Sequence, residues 1–307
     1  MEVIYSYTGS YLSNEPKACA LGFFDGVHVG HLRLISTLKQ ISQSMKMKSM
    51  IFTFEKHPLS LLNKENIPKL ITDNDSKSCM FNELGIDIVN YANVNMSFLN
   101  TEPQDFLKNI LIKEYNVKAL VVGFNFRFGS GGKGNSDMII DFGIKNNINV
   151  SIVEPFTVDG MIVSSTIIRD LLLSGDIITA NKMLGRRFSL QGKVMHGKKR
   201  GTDLGFPTAN IYIGPHLIVP KNGVYITKVI IDNVERIGVT NIGYNPTFGN
   251  STISVETHIV DFNCDIYDRQ IKIEFVGRIR DEITFENFSE LSAQIHSDKQ
   301  MAIQLSK

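Results

Sequence analysis

Cysteine is scarce in this chain. Cys19, Cys79 and Cys264 are scattered through 307 residues with no CxxC pair. That leaves out a disulfide framework and a thiolate zinc site, and it fits a reducing compartment. Net charge is equally scarce: 32 Lys and Arg against 31 Asp and Glu give +1. No general nucleic-acid-binding surface is expected, so any polyanion must be met at a local site. No apolar run approaches the roughly 20 residues of a membrane span. The opening MEVIYSYTGSYL also lacks the basic-then-apolar layout of a signal peptide. Internal repeats and low-complexity segments are missing as well. A soluble, cytoplasmic chain is expected, with neither membrane nor nucleic acid among its partners; self-association is left open. At 43% hydrophobic and 21% charged, it has ample material for a core, and its length suits two domains.

The first 185 residues alternate β-rich runs with helical periodicity. ACALGFF (18–24), SMIFTF (49–54), VKALVVGFNF (117–126) and NVSIVEPF (149–156) read as strands. Leu34, Ile35, Leu38, Ile41 and Met45 recur at helical spacing, and PQDFLKNILIKEY is a second helical stretch. Strands alternating with helices predict a parallel sheet covered on both faces, an α/β doubly wound domain. Two helix starts follow, at Ser164–Ser165 and at Asp176, the second closing at Gly185. From Phe188 the texture changes to strand-like runs between turns: SLQGKVMHG, GVYITKVII, RIGVTNIG, ISVETHIVDF and IKIEFVGRI. Ile271, Ile273 and Phe275 share one face, an antiparallel barrel pattern. Phe285, Phe288, Leu291 and Ile295 predict a terminal helix over that barrel. The expected domains are 1–185 and 186–307.

The stretch GFFDGVHVGH (22–31) runs from a strand into a helix start. Such a junction aims free backbone N–H groups and the positive end of a helix dipole at one point, which suits a phosphate. Gly22, Gly26 and Gly30 let the backbone come close to a ligand, while His28 and His31 can donate to phosphate oxygens. Read alone, the same residues also suit turn glycines and two partly buried histidines. In the second half, GKVMHGKKRGTDLGFPTANI (192–211) packs glycines and three cations, Lys198, Lys199 and Arg200, around a loop. It could wrap a nucleotide, or be a solvated basic hairpin. Thr208 and Asn210 offer hard oxygen ligands suited to Mg²⁺. VETHIVDF places Glu256 and His258 on one strand face, with Val255 and Ile259 on the other.

The first motif resembles the nucleotidylyltransferase signature in the form carried by the FMN adenylyltransferase module of bacterial bifunctional FAD synthetases. FTFEKHP (52–58), VVGFNFRFG (121–129) and SSTIIR (164–169) continue the match in order. The second half is similar to riboflavin kinase over nearly its whole length, with GFPTAN followed by VETH as the carrying combination. The resemblance implies a Rossmann-like nucleotidylyltransferase domain and a flavokinase barrel that convert riboflavin to FMN and FMN to FAD. ATP, riboflavin and FMN would be substrates, with Mg²⁺ as cofactor. It implies ATP contacts at Gly22, Phe24, Asp25, Gly30, Ser165, Thr166 and Arg169, with His28 and His31 on the phosphates and Asn125 on the flavin. In the kinase half it implies an ATP loop of Gly192, Val194, Gly197, Arg200 and Gly201, with Mg²⁺ and phosphate at Thr208 and Asn210. Glu256 would be the base and Arg280 a flavin contact. Ile167, Thr202 and Asp268 depart from the family pattern; aspartate at 268 still tolerates a left-handed turn. The alternatives are a single-activity adenylyltransferase with a silent kinase module, and a non-catalytic flavin-binding regulator.

Overall fold

The structure is a computed structural model, and it describes residues 1–6, 12–57, 59–62, 67–195, 206–245 and 252–305. The chain divides into two compact units, Met1–Ser165 and Thr166–Lys307.

In the first unit, the described residues form a parallel sheet of six strands. These are β1 (Glu2–Ser6), β2 (Lys17–Leu21), β3 (Lys48–Phe54), β4 (Ile88–Ala92), β5 (Val117–Gly123) and β6 (Asn149–Val153), in the order β1-β4-β3-β2-β5-β6. Helices α1 (Val29–Ser44), α2 (Asn74–Glu83), α3 (residues 103–114, π-wound over Phe106–Glu114) and α4 (Ser136–Asn146) connect them. A small ribbon, β7 (Thr157–Val158) and β8 (Met161–Ile162), follows β6. The apolar runs are continuous because both sheet faces are buried. Along β2, Cys19 and Leu21 join one core with Phe106 and Leu107. Ala18 and Ala20 join the other, against Leu34, Ile35 and Leu38 of α1. The small alanines let α1 approach the sheet beneath the turn that follows β2.

Two strands escape the sequence reading. β1 lies at the sheet edge, and β4 interrupts its apolar run with Asn90, which is fully buried and accepts a hydrogen bond from the Tyr115 hydroxyl at 3.1 Å. The predicted strands at 18–24 and 117–126 also stop earlier, at Leu21 and Gly123, where the chain turns.

In the second unit, α5 (Ser165–Ser174) and α6 (Ile177–Leu184) precede a closed barrel. Asp176 caps α6 by accepting from the Thr179 amide at 3.0 Å, and Gly185 ends it at φ +70°, as the sequence predicts. The barrel order is β10-β13-β12-β11-β14-β9. Its strands are β9 (Ser189–Met195), β10 (Thr208–Ile211), β11 (Gly223–Ile231), β12 (Val234–Asn245), β13 (Thr252–Ile259) and β14 (Gln270–Arg280). The closing strand β10 is the TANI of the PTAN motif, a strand too short to show a period of its own; it pairs with both β9 and β13. Ile271, Ile273 and Phe275 point inward, fully buried. The terminal helix α7 (Phe288–Leu305) packs Ala302 against Val224, Ile226 and Val239 on the outer barrel face. Because that face is covered, β11 is apolar on both sides and shows no alternation. The helix starts after Phe285, and Phe288 is 77% exposed, so the apolar stripe of the helix begins at Leu291 rather than Phe285.

One buried cation ties α2 to the first site. Lys77, 1% exposed, donates to the Phe23 carbonyl at 3.4 Å and lies over the rings of Phe23 and Tyr91. Burial lowers its pKa to about 8. The folded chain therefore releases this proton before the unfolded chain does, and the cost of burying the charge disappears as pH rises from about 8 towards the ordinary lysine value. Wild type should gain up to about 3 kcal/mol over that window relative to Lys77→Met. Parallel denaturant titrations between pH 7.5 and 10.5 check this; equal slopes for the two proteins would contradict it.

Candidate active sites

The first site is built on backbone that side chains rarely tolerate. After β2 the chain takes positive φ at Phe24 (+55°), Gly26 (+82°) and Val27 (+38°). For Phe and β-branched Val, such values cost about 1–3 kcal/mol each. Both side chains are 1% exposed within the α1-facing core, and their burial, about 2–3 kcal/mol each, offsets the strain. Asp25 fixes the turn from below. Its carboxylate accepts from the Ile71 amide at 2.9 and 3.1 Å and from the Thr72 amide at 3.1 Å. Phe24 and Asp25 thus face the protein with their side chains.

The turn delivers His28 to the N-cap of α1, where Nδ1 accepts from the His31 amide at 3.3 Å. In the neutral ring the proton is then on Nε2, so His28 keeps a donor. The two imidazoles stack with centroids 3.6 Å apart. A Cβ on Gly30 would come within 3.2 Å of the His28 ring, so this glycine leaves the ring its place. The Ser165 hydroxyl donates to the Asp25 carbonyl at 2.8 Å, joining the start of the SSTIIR motif to the same turn. Thr166 and Arg169 follow on α5, within the second unit. Beside the turn lies a cavity of about 470 Å³ lined by Gly22, Phe52, Phe54, Phe98, Phe126, Arg127 and Phe128. Its aromatic walls suit a planar ring system. Asn125 is exposed in the turn after β5, next to that lining.

The second site lies on the outer barrel face under α7. Register places Thr208 of β10 opposite His258 and Asn210 opposite Glu256, with Asn241 of β12 opposite Glu256 on the other side. Four of these line one cavity of about 300 Å³: Thr208, Asn241, Glu256 and His258. The Glu256 carboxylate accepts from the Ser254 hydroxyl at 2.9 Å, which orients it. Arg280 lines the same cavity with its guanidinium held by Asp298 of α7, at 2.7 Å from Nη2 and 3.2 Å from Nε. Gln294 donates to the same carboxylate at 2.9 Å. Arg280 therefore ties the barrel rim to α7 as well as facing the cavity.

A smaller cavity of about 100 Å³ lies beside it, lined by Val194, Pro207, Ile259 and residues 262–267. Gly192 is required by packing: a Cβ there would sit 2.2 Å from the Tyr212 carbonyl oxygen. Asp268 takes φ +62°, the left-handed turn expected of it. Gly197, Arg200, Gly201 and Thr202 lie outside the described residues. Asn241 and Asp298 were not legible as site residues, because their partners come from strand register and from the packing of α7; Ser254, two residues before Glu256 on one strand face, could have been found by alternation.

Comparison with known proteins agrees with both halves. Residues 11–167 match the FAD synthetase family and residues 184–306 match the riboflavin kinase family. The bifunctional riboflavin kinase/FMN adenylyltransferase of Bacillus subtilis is 37% identical over 99% of this chain and 98% of its own length. The chain belongs to the bifunctional riboflavin kinase/FMN adenylyltransferase family. The Escherichia coli K12 relative of the same name is 33% identical over 94% of this chain and 93% of its own. A solved structure from Streptococcus pneumoniae, described as a macrolide-efflux protein, superposes with a TM-score of 0.91 at 27% identity, covering 98% of this chain and 99% of that one. Among the described residues of this family member, no helix is long and apolar enough to cross a membrane.

In this member of the family the tie between Asp25 and residues 71–72 carries the shape of the turn. Asp25→Ala leaves two buried amides without their acceptor, at a cost of about 2–3 kcal/mol. Urea unfolding should show that loss, and amide exchange at Ile71 and Thr72 should speed up while β10–β13 amides keep their protection.

Proposed function

We propose that residues 186–307 transfer the γ-phosphate of ATP to riboflavin, and that residues 1–185 transfer AMP from a second ATP to the resulting FMN, giving FAD and pyrophosphate. The observation that carries this reading is the pairing of two dissimilar sites with the two family matches, each site on the half that the match names.

In the kinase half, the riboflavin 5′-hydroxyl gives its proton to Glu256 as the oxygen attacks the γ-phosphorus, and the bond to the bridging oxygen of ADP breaks. Ser254 holds the carboxylate in place, and general-base help of this kind is worth a factor of about 10² to 10⁴. Position supplies much of the rest. Thr208 and Asn210 alternate on one face of β10, beside Glu256. Their hydroxyl and amide oxygens fit Mg²⁺, an ion that favours oxygen ligands and arrives with nucleotide phosphates. Bound there, it would neutralise phosphate charge. Gly192 and Val194, on β9, would add nucleotide contacts to those of Gly197, Arg200 and Gly201.

In the adenylyltransferase half, an FMN phosphate oxygen attacks the α-phosphorus of ATP and pyrophosphate leaves. No covalent nucleophile is needed, only two anions in line and donors for the charge that builds on the leaving group. His28 supplies Nε2–H, and His31 and Ser165 add triphosphate contacts, with backbone from Gly22, Phe24, Asp25 and Gly30. The aromatic cavity takes the flavin, with Asn125 at its edge; Arg280 plays the flavin-side role in the kinase cavity. Free cysteines at 19, 79 and 264 fit work in a reducing cytoplasm.

A chromatographic time course with riboflavin, ATP and Mg²⁺, and a parallel one from FMN, tests the reading. FMN rising and then declining into FAD is expected. FAD from FMN alone would favour the silent-kinase reading, and flavin binding without turnover the regulator. Gly30→Ala, which displaces the His28 ring, should lower kcat/KM for FAD formation about tenfold or more and leave FMN formation unchanged. Equal FAD formation would contradict the placement of His28.

A further inference from the structure

His258 is a buried titratable side chain of the kinase cavity to which the mechanism gives no task. It sits on the same face of β13 as Glu256 and is 8% exposed. Its Nδ1 lies 3.0 Å from the Pro207 carbonyl oxygen. A carbonyl can only accept, so the proton is on Nδ1. Burial holds the imidazole below its ordinary pKa, with the Pro207 hydrogen bond and Asp261 opposing and Lys299 adding to that direction, so the ring is neutral near pH 7. Nε2 is then a bare acceptor. It is buried and has no hydrogen-bond partner among the described residues. The Phe206 ring stands edge-on to the imidazole, centroids 5.4 Å apart.

A buried acceptor without a donor costs about 1–3 kcal/mol. The cavity it lines also holds Glu256 and Thr208. From this we infer that His258 is a specificity-determining residue of the kinase site, its Nε2 accepting a hydrogen bond from a secondary hydroxyl of the substrate's polyol chain. The inference rests on the kinase reading above. Glu256 and His258 are two residues apart on one strand face, about 7 Å along the chain. With the 5′-hydroxyl at Glu256, that span reaches the 2′- or 3′-hydroxyl of the ribityl chain. A flavin without a polyol, or with those hydroxyls removed, would leave Nε2 unpaired and be refused.

The test separates the two ring nitrogens. His258→Asn places its amide where Nδ1 was and keeps the Pro207 bond but loses the Nε2 acceptor. His258→Gln carries an amide oxygen to the Nε2 position. His258→Asn should raise the riboflavin KM about tenfold with the ATP KM unchanged, and His258→Gln should stay within about threefold of wild type. In wild type, 2′-deoxy- or 3′-deoxyriboflavin should suffer a similar penalty, and that penalty should vanish in His258→Asn. The unchanged ATP KM of the kinase reaction reports that the barrel of each variant is folded. A riboflavin KM unchanged in His258→Asn, or deoxy penalties equal in wild type and variant, overturns the inference while leaving kinase activity established. Loss of the penalty for N3-methylriboflavin instead would place the bond on the flavin ring and also overturn it. No riboflavin turnover by wild type would overturn the kinase reading and this inference with it.

Discussion

The barrel site depends on the register of β10, β13 and β12. Glu256, Thr208, Asn210 and Asn241 come from three strands, and they meet only because Asn210 and Asn241 stand directly across from Glu256. A slip of one residue would send this set into the barrel interior and the core residues outward. Inside the barrel, the hydroxyls of Thr227, Thr240 and Thr257 form a buried chain, each link 2.8 Å. All three are fully buried, and a shifted strand would leave those hydroxyls unpaired in an apolar interior, so the chain penalises wrong registers. The interior polar ladder thus holds the exterior polar site in place.

The first unit meets the same demand for position by different means. There the reactive groups sit on a strand-to-helix turn, and precision comes from strain held by burial. Phe24 and Val27 keep left-handed backbone because their side chains are locked in the core, Asp25 fastens the turn to residues 71–72, and Lys77 braces the Phe23 carbonyl. Phosphoryl and adenylyl transfer both ask for aligned anions and fixed donors, so either construction serves.

Much of this was legible in the sequence. The doubly wound sheet showed itself through apolar runs between helical periods, and the barrel through the alternation at Ile271, Ile273 and Phe275. His28 and His31 could be picked out as candidates by the glycine turn and Glu256 by strand alternation, whereas Thr208 and Asn210 rested on their oxygen donors and on the family resemblance. Other features were hidden for physical reasons. Strand β1 lies at the sheet edge, β4 has its apolar run interrupted by Asn90, and β10, only four residues long, is recognisable only through its partners. The inward turn of Phe24 and Asp25 depends on φ values that composition does not encode at non-glycine positions. Asn241 and Asp298 gain their roles from a cross-strand neighbour and from the terminal helix, and the tautomer of His258 is set by a carbonyl 51 positions away in sequence.

The central claim is that each half carries its own complete site. It is tested most directly by measuring FMN and FAD formation in two variants side by side, Glu256→Gln and His28→Ala. Glu256→Gln should lose FMN formation by about 10² or more and still convert added FMN to FAD at the wild-type rate. His28→Ala should do the reverse, accumulating FMN from riboflavin with little FAD. A variant that loses both activities while remaining folded would contradict the division of labour between the halves.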